Sequence, residues 1–245
     1  MLAAERLSLI DRGGVMPDAV ELFGHDVRTA TLILWATLAG AVVLTGQPTT
    51  WHVLRHVVTI VHEAGHALVA VMVGRRLTGI RLHSDTSGVT VSSGRPTGPG
   101  MVLTAAAGYP APGVLGLGLA VLIAADLTTA MLWACIVLLV LMLVNIRNAF
   151  GALSVLATAA ATGAVIWWAT PWVSAVYGAS ICWLLLVGGV RATVELQRTR
   201  RRSRSRSSDA DQLARLTGVG GLFWVLVFWV VGVGCLVSAG WLLLR

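Results

Sequence analysis

The chain has 245 residues, 56% of them hydrophobic, a mean hydropathy of +0.81 and a formal net charge of +7. That is more apolar sequence than one soluble core uses, which points to an integral membrane protein. All 18 basic residues are arginine, a bias that fits a GC-rich bacterial genome, and they lie in loops between apolar runs, which excludes a nucleic-acid-binding face.

In chain order, residues 1–28 read as a polar cytoplasmic tail. A first span is expected from Ala30 to Gly46, ended by Gln47-Pro48-Thr49-Thr50, and a second from Val53 to Val73. Leu77 to Gly94 alternates apolar and polar residues around Asp85-Thr86-Ser87-Gly88 and predicts a short cytoplasmic β-hairpin between the second and third spans. The third span, Gly100 to Ala125, should break at Gly108 to Gly113, because Pro110 and Pro112 each remove a backbone donor. Further spans are placed at Leu127 to Val144, Ala149 to Trp168 and Val173 to Val190. A basic linker over 191–216 then leads to a last span within 217–245. The expectation is an all-α polytopic membrane protein of about seven transmembrane helices, residues 29–190 forming a six-span domain. With the N-terminus cytoplasmic, every arginine except Arg55 and Arg245 falls inside, as the positive-inside rule prefers. Cys135, Cys182 and Cys235 sit in apolar runs without paired spacing and read as packed thiols.

The second span carries His62-Glu63-Ala64-Gly65-His66. Histidines four apart share one helix face, so both imidazoles can reach one metal ion while the glutamate between them holds a water. Glu63 is the only carboxylate well inside an expected span, where an unpaired charge costs several kcal/mol. His62 and His66 are therefore candidate Zn2+ ligands and Glu63 the candidate general base. His25, His52 and His56 lie outside the motif and are not taken as ligands, and His83 reads as a surface residue.

His62 to Ala67, Gly79 to Thr90, Ala107 to Pro112, Arg147 to Gly151, and Ser208 to Ala210 with Leu213 to Gly218 together resemble the site-2 protease family of intramembrane zinc metallopeptidases, in its compact bacterial branch. The resemblance covers about residues 50–240. It implies peptide-bond hydrolysis in membrane-protein or transmembrane-peptide substrates within the bilayer of the cell membrane. It also implies a third metal ligand, an aspartate two spans after the histidines. The corresponding stretch, Val144 to Gly151, has no aspartate. Asn148 is taken as the third contact through its amide oxygen, with Asn145 the other local candidate. Asp209 could reach in from the linker, although capping the helix after it is the preferred role. Without that aspartate, an inactive member that binds membrane helices as a scaffold is the alternative. The hairpin could receive an unwound substrate as an added strand.

Overall fold

A computed structural model describes residues 27–202 and 207–245; the tail before Val27, His25 included, lies outside the described residues. Nine helices and one hairpin follow in order among them: α1 (Val27–Gly46), α2 (Pro48–Met72), β1 (Arg76–Leu82), β2 (Gly88–Ser93), α3 (Pro99–Ala106), α4 (Pro110–Ala124), α5 (Thr128–Asn145), α6 (Ala149–Trp168), α7 (Pro171–Arg202), α8 (Asp209–Thr217) and α9 (Gly221–Leu243). The protein is an all-α polytopic membrane protein with one small sheet. Five helices are long and apolar enough to cross a bilayer, and the α3–α4 pair, bent by 65°, makes a sixth if it counts as one span. Seven were expected. The difference is α2, whose 25 residues suffice in length but whose four histidines, Arg55 and Glu63 leave it less apolar than the others.

As expected, the first helix ends at Gly46 and the second starts at Pro48. Gln47 N–H closes α1 on the Val43 carbonyl at 3.1 Å and Trp51 N–H opens α2 on that of Gln47 at 3.0 Å, with Gln47 itself extended between them at φ −77° and ψ 129°. Proline has no N–H for the Leu44 carbonyl, and the Thr50 hydroxyl takes its place at 2.5 Å. Helix α1 has its C-terminal end against the second half of α7, as does the start of α2, whose Trp51 and Val58 both reach Gly188. Gly46 borders a groove with Val187 to Arg198; Trp51 packs against Gly188 beneath the Arg191 guanidinium, 4.8 Å away; Arg55 meets Glu195 at 3.4 Å. At the other end of α1, Ala30 joins the cluster that holds Ala175 and Ala179 near the start of α7. Helices α1 and α7 therefore run parallel.

Helices α4 and α7 form the centre, with α1, α5 and α9 around them. Trp183, Leu186, Ala120, Ile123 and Met131 are fully enclosed there. Small residues set the approach, as in other membrane bundles. A Cβ on Gly113 would lie 3.4 Å from the Gly232 Cα, and one on Gly116 would lie 2.8 Å from the Leu186 Cγ. The three cysteines are free, as expected.

The hairpin spans 76–93, within one residue of the expected 77–94 segment, its strands antiparallel with Ile80 opposite Thr90 and Leu82 opposite Gly88. Ile80 and Leu82 are buried against α2, α5 and α6, whereas Val89 and Val91 point away and stay 47% and 46% exposed. On its other side β1 bridges to Ile146, with Arg147 N–H donating to the Ile80 carbonyl at 2.8 Å. Among the described residues β2 has no strand on its outer side.

The basic segment is less of a linker than expected. Helix α7 continues through Arg191 to Arg202, and 209–217 forms α8. Arginine, glutamate and glutamine are good helix formers, so the change in polarity marks where the helix leaves the apolar layer and not where it ends.

Candidate metal centre

Helix α2 displays His62 and His66 one turn apart, their Nε2 atoms separated by 3.1 Å. His66 Nδ1–H donates to the Thr104 carbonyl at 2.7 Å, which leaves the Nε2 lone pair facing its neighbour. Gly65 lets α2 approach the bend between α3 and α4. A Cβ there would lie 2.5 Å from the Ala111 Cβ and 2.8 Å from the Ala107 carbonyl oxygen. At Gly108 an added Cβ would run into His62 and His66 themselves. The bend predicted from Pro110 and Pro112 is thus one wall of the site. Tyr109, next in the bend, sets its ring edge-on to His62 at 4.6 Å and stacks on Phe228 of α9 at 5.2 Å.

The third group is Asp209. Its Oδ2 lies 3.2 Å from His62 Nε2 and 3.3 Å from His66 Nε2, and the three donor atoms fall within 4.8 Å of one another. The preferred capping role for Asp209 does not hold, because the cap is made by other residues. Ser208 accepts the Asp211 N–H, and Asp211 reaches back to the Ser208 N–H, a capping box that leaves Asp209 free at the first helical position. Arg200 near the end of α7 holds Asp211 Oδ1 at 2.7 and 3.0 Å and so ties α8 in place. Burial would raise the Asp209 carboxyl, but hydrogen bonds with His62 and His66 outweigh it and hold the group well below the usual carboxylate range. Asp211 is likewise held low: burial raises it and the Arg200 contact more than compensates.

Asn148, expected as the third contact, is engaged elsewhere. Its amide oxygen accepts the Leu82 N–H at 3.2 Å and its amide nitrogen donates to the Leu82 carbonyl at 2.6 Å, closing β1 against the start of α6. Asn145 donates to the Leu141 carbonyl within its own helix. His83 is exposed beside Ser87, and His52 and His56 contact each other and Phe150.

Glu63 is 3% exposed and turns toward the hairpin. Its Oε2 accepts the Thr90 hydroxyl at 2.5 Å, and Gly88 packs so closely that a Cβ there would lie 2.5 Å from Oε1. A cavity of about 540 Å³ opens over His62, Glu63, His66 and Asp209, with the outer side of β2, Arg55 and Tyr109 in its lining.

The donor set fits a divalent cation such as zinc. Two imidazole nitrogens and a carboxylate oxygen converge at 3.1 to 3.3 Å, an arrangement of electron-rich atoms that requires a proton or a cation between them. The sequence places Gly88 in a turn and Gly108 in a bend but gives neither of them, nor Thr90, a role in the site, and it assigns Asp209 to capping. The Ser-x-x-Asp spacing of Ser208 and Asp211 was the available signal that Asp209 was not needed as a cap.

No curated protein and no solved structure matches the chain. The family described as Peptidase M50B-like matches residues 34–239, a span that contains α2, the hairpin, the bend and Asp209. With most of its length inside that match, the chain belongs to the Peptidase M50B-like family.

Proposed function

We propose that the protein is a zinc-dependent membrane metallopeptidase that hydrolyses peptide bonds within or beside the bilayer. His62, His66 and Asp209 would hold the metal, and Glu63 is the general base. The observation that carries this reading is the meeting of three metal donors from α2 and α8 at one cavity, with a buried carboxylate beside them. Family membership supports proteolysis in general. The inactive-scaffold alternative rested on the missing aspartate near Asn148, and Asp209 removes that ground.

When bound, zinc supplies the Lewis acidity that polarises a scissile carbonyl and makes water a stronger acid. The chain's own groups do the rest. Glu63 accepts the proton of the attacking water and returns it to the leaving amine. Thr104 fixes the His66 ring through Nδ1, and Gly108 leaves the pair open on the side of the bend. The free side of β2 can receive an extended substrate segment by strand pairing, which exposes a peptide bond that a helix would shield.

The parallel run of α1 and α7 supports one orientation in the membrane. The hairpin, the α5–α6 connection and the end of α7 carry Arg75, Arg76, Arg81, Arg95, Arg147 and Arg198 to Arg202, and this face is cytoplasmic. Helix α1 then begins on the opposite face of the membrane.

The direct test uses detergent-purified wild type, Glu63→Gln and His62→Ala. Zinc per chain is measured together with cleavage of a panel of transmembrane peptides. The reading requires zinc in the wild type and in Glu63→Gln, cleavage by the wild type alone, and loss of zinc in His62→Ala. A wild type that takes up no zinc refutes it.

A further inference from the structure

The buried carboxylate of Glu63 is held by the hairpin and by little else. Thr90 Oγ lies 2.5 Å from Glu63 Oε2 and 3.1 Å from the Glu63 carbonyl. A hydroxyl has one proton, and the shorter contact with the charged oxygen takes it. On the other side, Gly88 backbone packs against Oε1 and the carboxyl carbon, with no room for a Cβ. Both residues belong to β2, two positions apart and therefore on the same face.

That face is held against α2 by a third contact. The Thr59 hydroxyl donates to the Thr86 carbonyl at 3.0 Å. Thr86 is 2% exposed and adopts φ +69°, a left-handed conformation that a threonine keeps only when its surroundings enforce it. The hairpin is therefore docked in one register on the helix that bears the histidines. A slip of one residue would replace Thr90 by Val89 or Val91, neither of which can donate.

We propose that Thr90 is a positioning residue for the reaction: its hydroxyl aims the Glu63 carboxylate, so that the strand whose free side borders the cavity also sets the general base. This rests on reading Glu63 as that base. A substrate segment paired along β2 then stiffens the same strand that holds the carboxylate, and substrate binding and base alignment become one event.

The test compares wild type, Thr90→Val, Thr90→Ser and Glu63→Gln in detergent, reading zinc per chain and the kcat and KM for a cleaved transmembrane peptide. Thr90→Val keeps its shape and loses the donor. Its kcat should fall roughly ten- to a hundredfold, the range for removing an orienting partner, with zinc content and KM nearly unchanged. Thr90→Ser should recover most of the loss. A wild-type kcat in Thr90→Val overturns the proposal, and so does a loss that tracks zinc release or that serine does not rescue. Should Thr90→Val not fold, Thr90→Ser decides: zinc-loaded but inactive, it overturns the assignment. Cleavage by Glu63→Gln would instead sink the general-base reading, whereas an inactive Glu63→Gln beside a fully active Thr90→Val sinks the positioning role alone.

Discussion

Replacing Asp209 by asparagine keeps the side chain's size and removes the charge that faces the two imidazoles at 3.2 and 3.3 Å. Zinc sites built from protein donors bind with about 10 to 16 kcal/mol near neutral pH. Shared among three donors, that is about 3 to 5 kcal/mol for each. A neutral amide retains part of this, so Asp209→Asn should weaken zinc by roughly one to three orders of magnitude. Competition against a chelator of known affinity measures it on the purified protein. The control is Asn148→Ala, which removes two hydrogen bonds to Leu82 and none to the histidines. It should bind zinc as the wild type does and lose about 1 to 3 kcal/mol of stability. Unchanged zinc affinity in Asp209→Asn, with a large loss in Asn148→Ala, would refute the assignment and restore the amide as the third contact.

Other perturbations separate the parts of the site. Gly108→Ala drives a methyl group into both histidines and should abolish zinc binding while the protein still inserts, which metal analysis of the membrane fraction reads directly. Asp211 has a lowered folded-state pKa, so its contribution to stability is fully present above the unfolded value of about 4 and is lost as pH falls through the lower folded value. Between those values the melting temperature of the wild type should fall more steeply with acidification than that of Asp211→Asn. A periplasmic-type reporter fused before Val27 should be active and a cytoplasmic-type reporter silent, the converse holding for fusions within the β-hairpin turn; a cytoplasmic N-terminus would contradict the parallel run of α1 and α7.

Local patterns carried a good part of this structure. Alternation around Asp85 to Gly88 located the hairpin, the prolines located the bend, and the four-residue spacing placed His62 and His66 on one face. Each depends on interactions between residues close in the chain, which periodicity and backbone chemistry report. The misplaced features depend on where distant segments lie. Asn148 and Asp209 are both near helix starts, and nothing in either neighbourhood says which one meets α2. That choice is made by the Arg200 to Asp211 tie, which joins the end of α7 to α8 and brings Asp209 over the histidines. In the same way, polarity past Val190 reported depth in the membrane and was read as the end of a helix.

Asp209 has a consequence for the making of the protein. The histidines and the glutamate emerge on α2, while the aspartate follows only after the long α7, at the start of α8. Chains insert from the N-terminus onward. The donor set is therefore incomplete until α8 has left the ribosome. A nascent or truncated chain, lacking α8 and α9, holds only two imidazoles and binds zinc weakly. The order of synthesis thus delays completion of the donor set until α1 to α7 have been made.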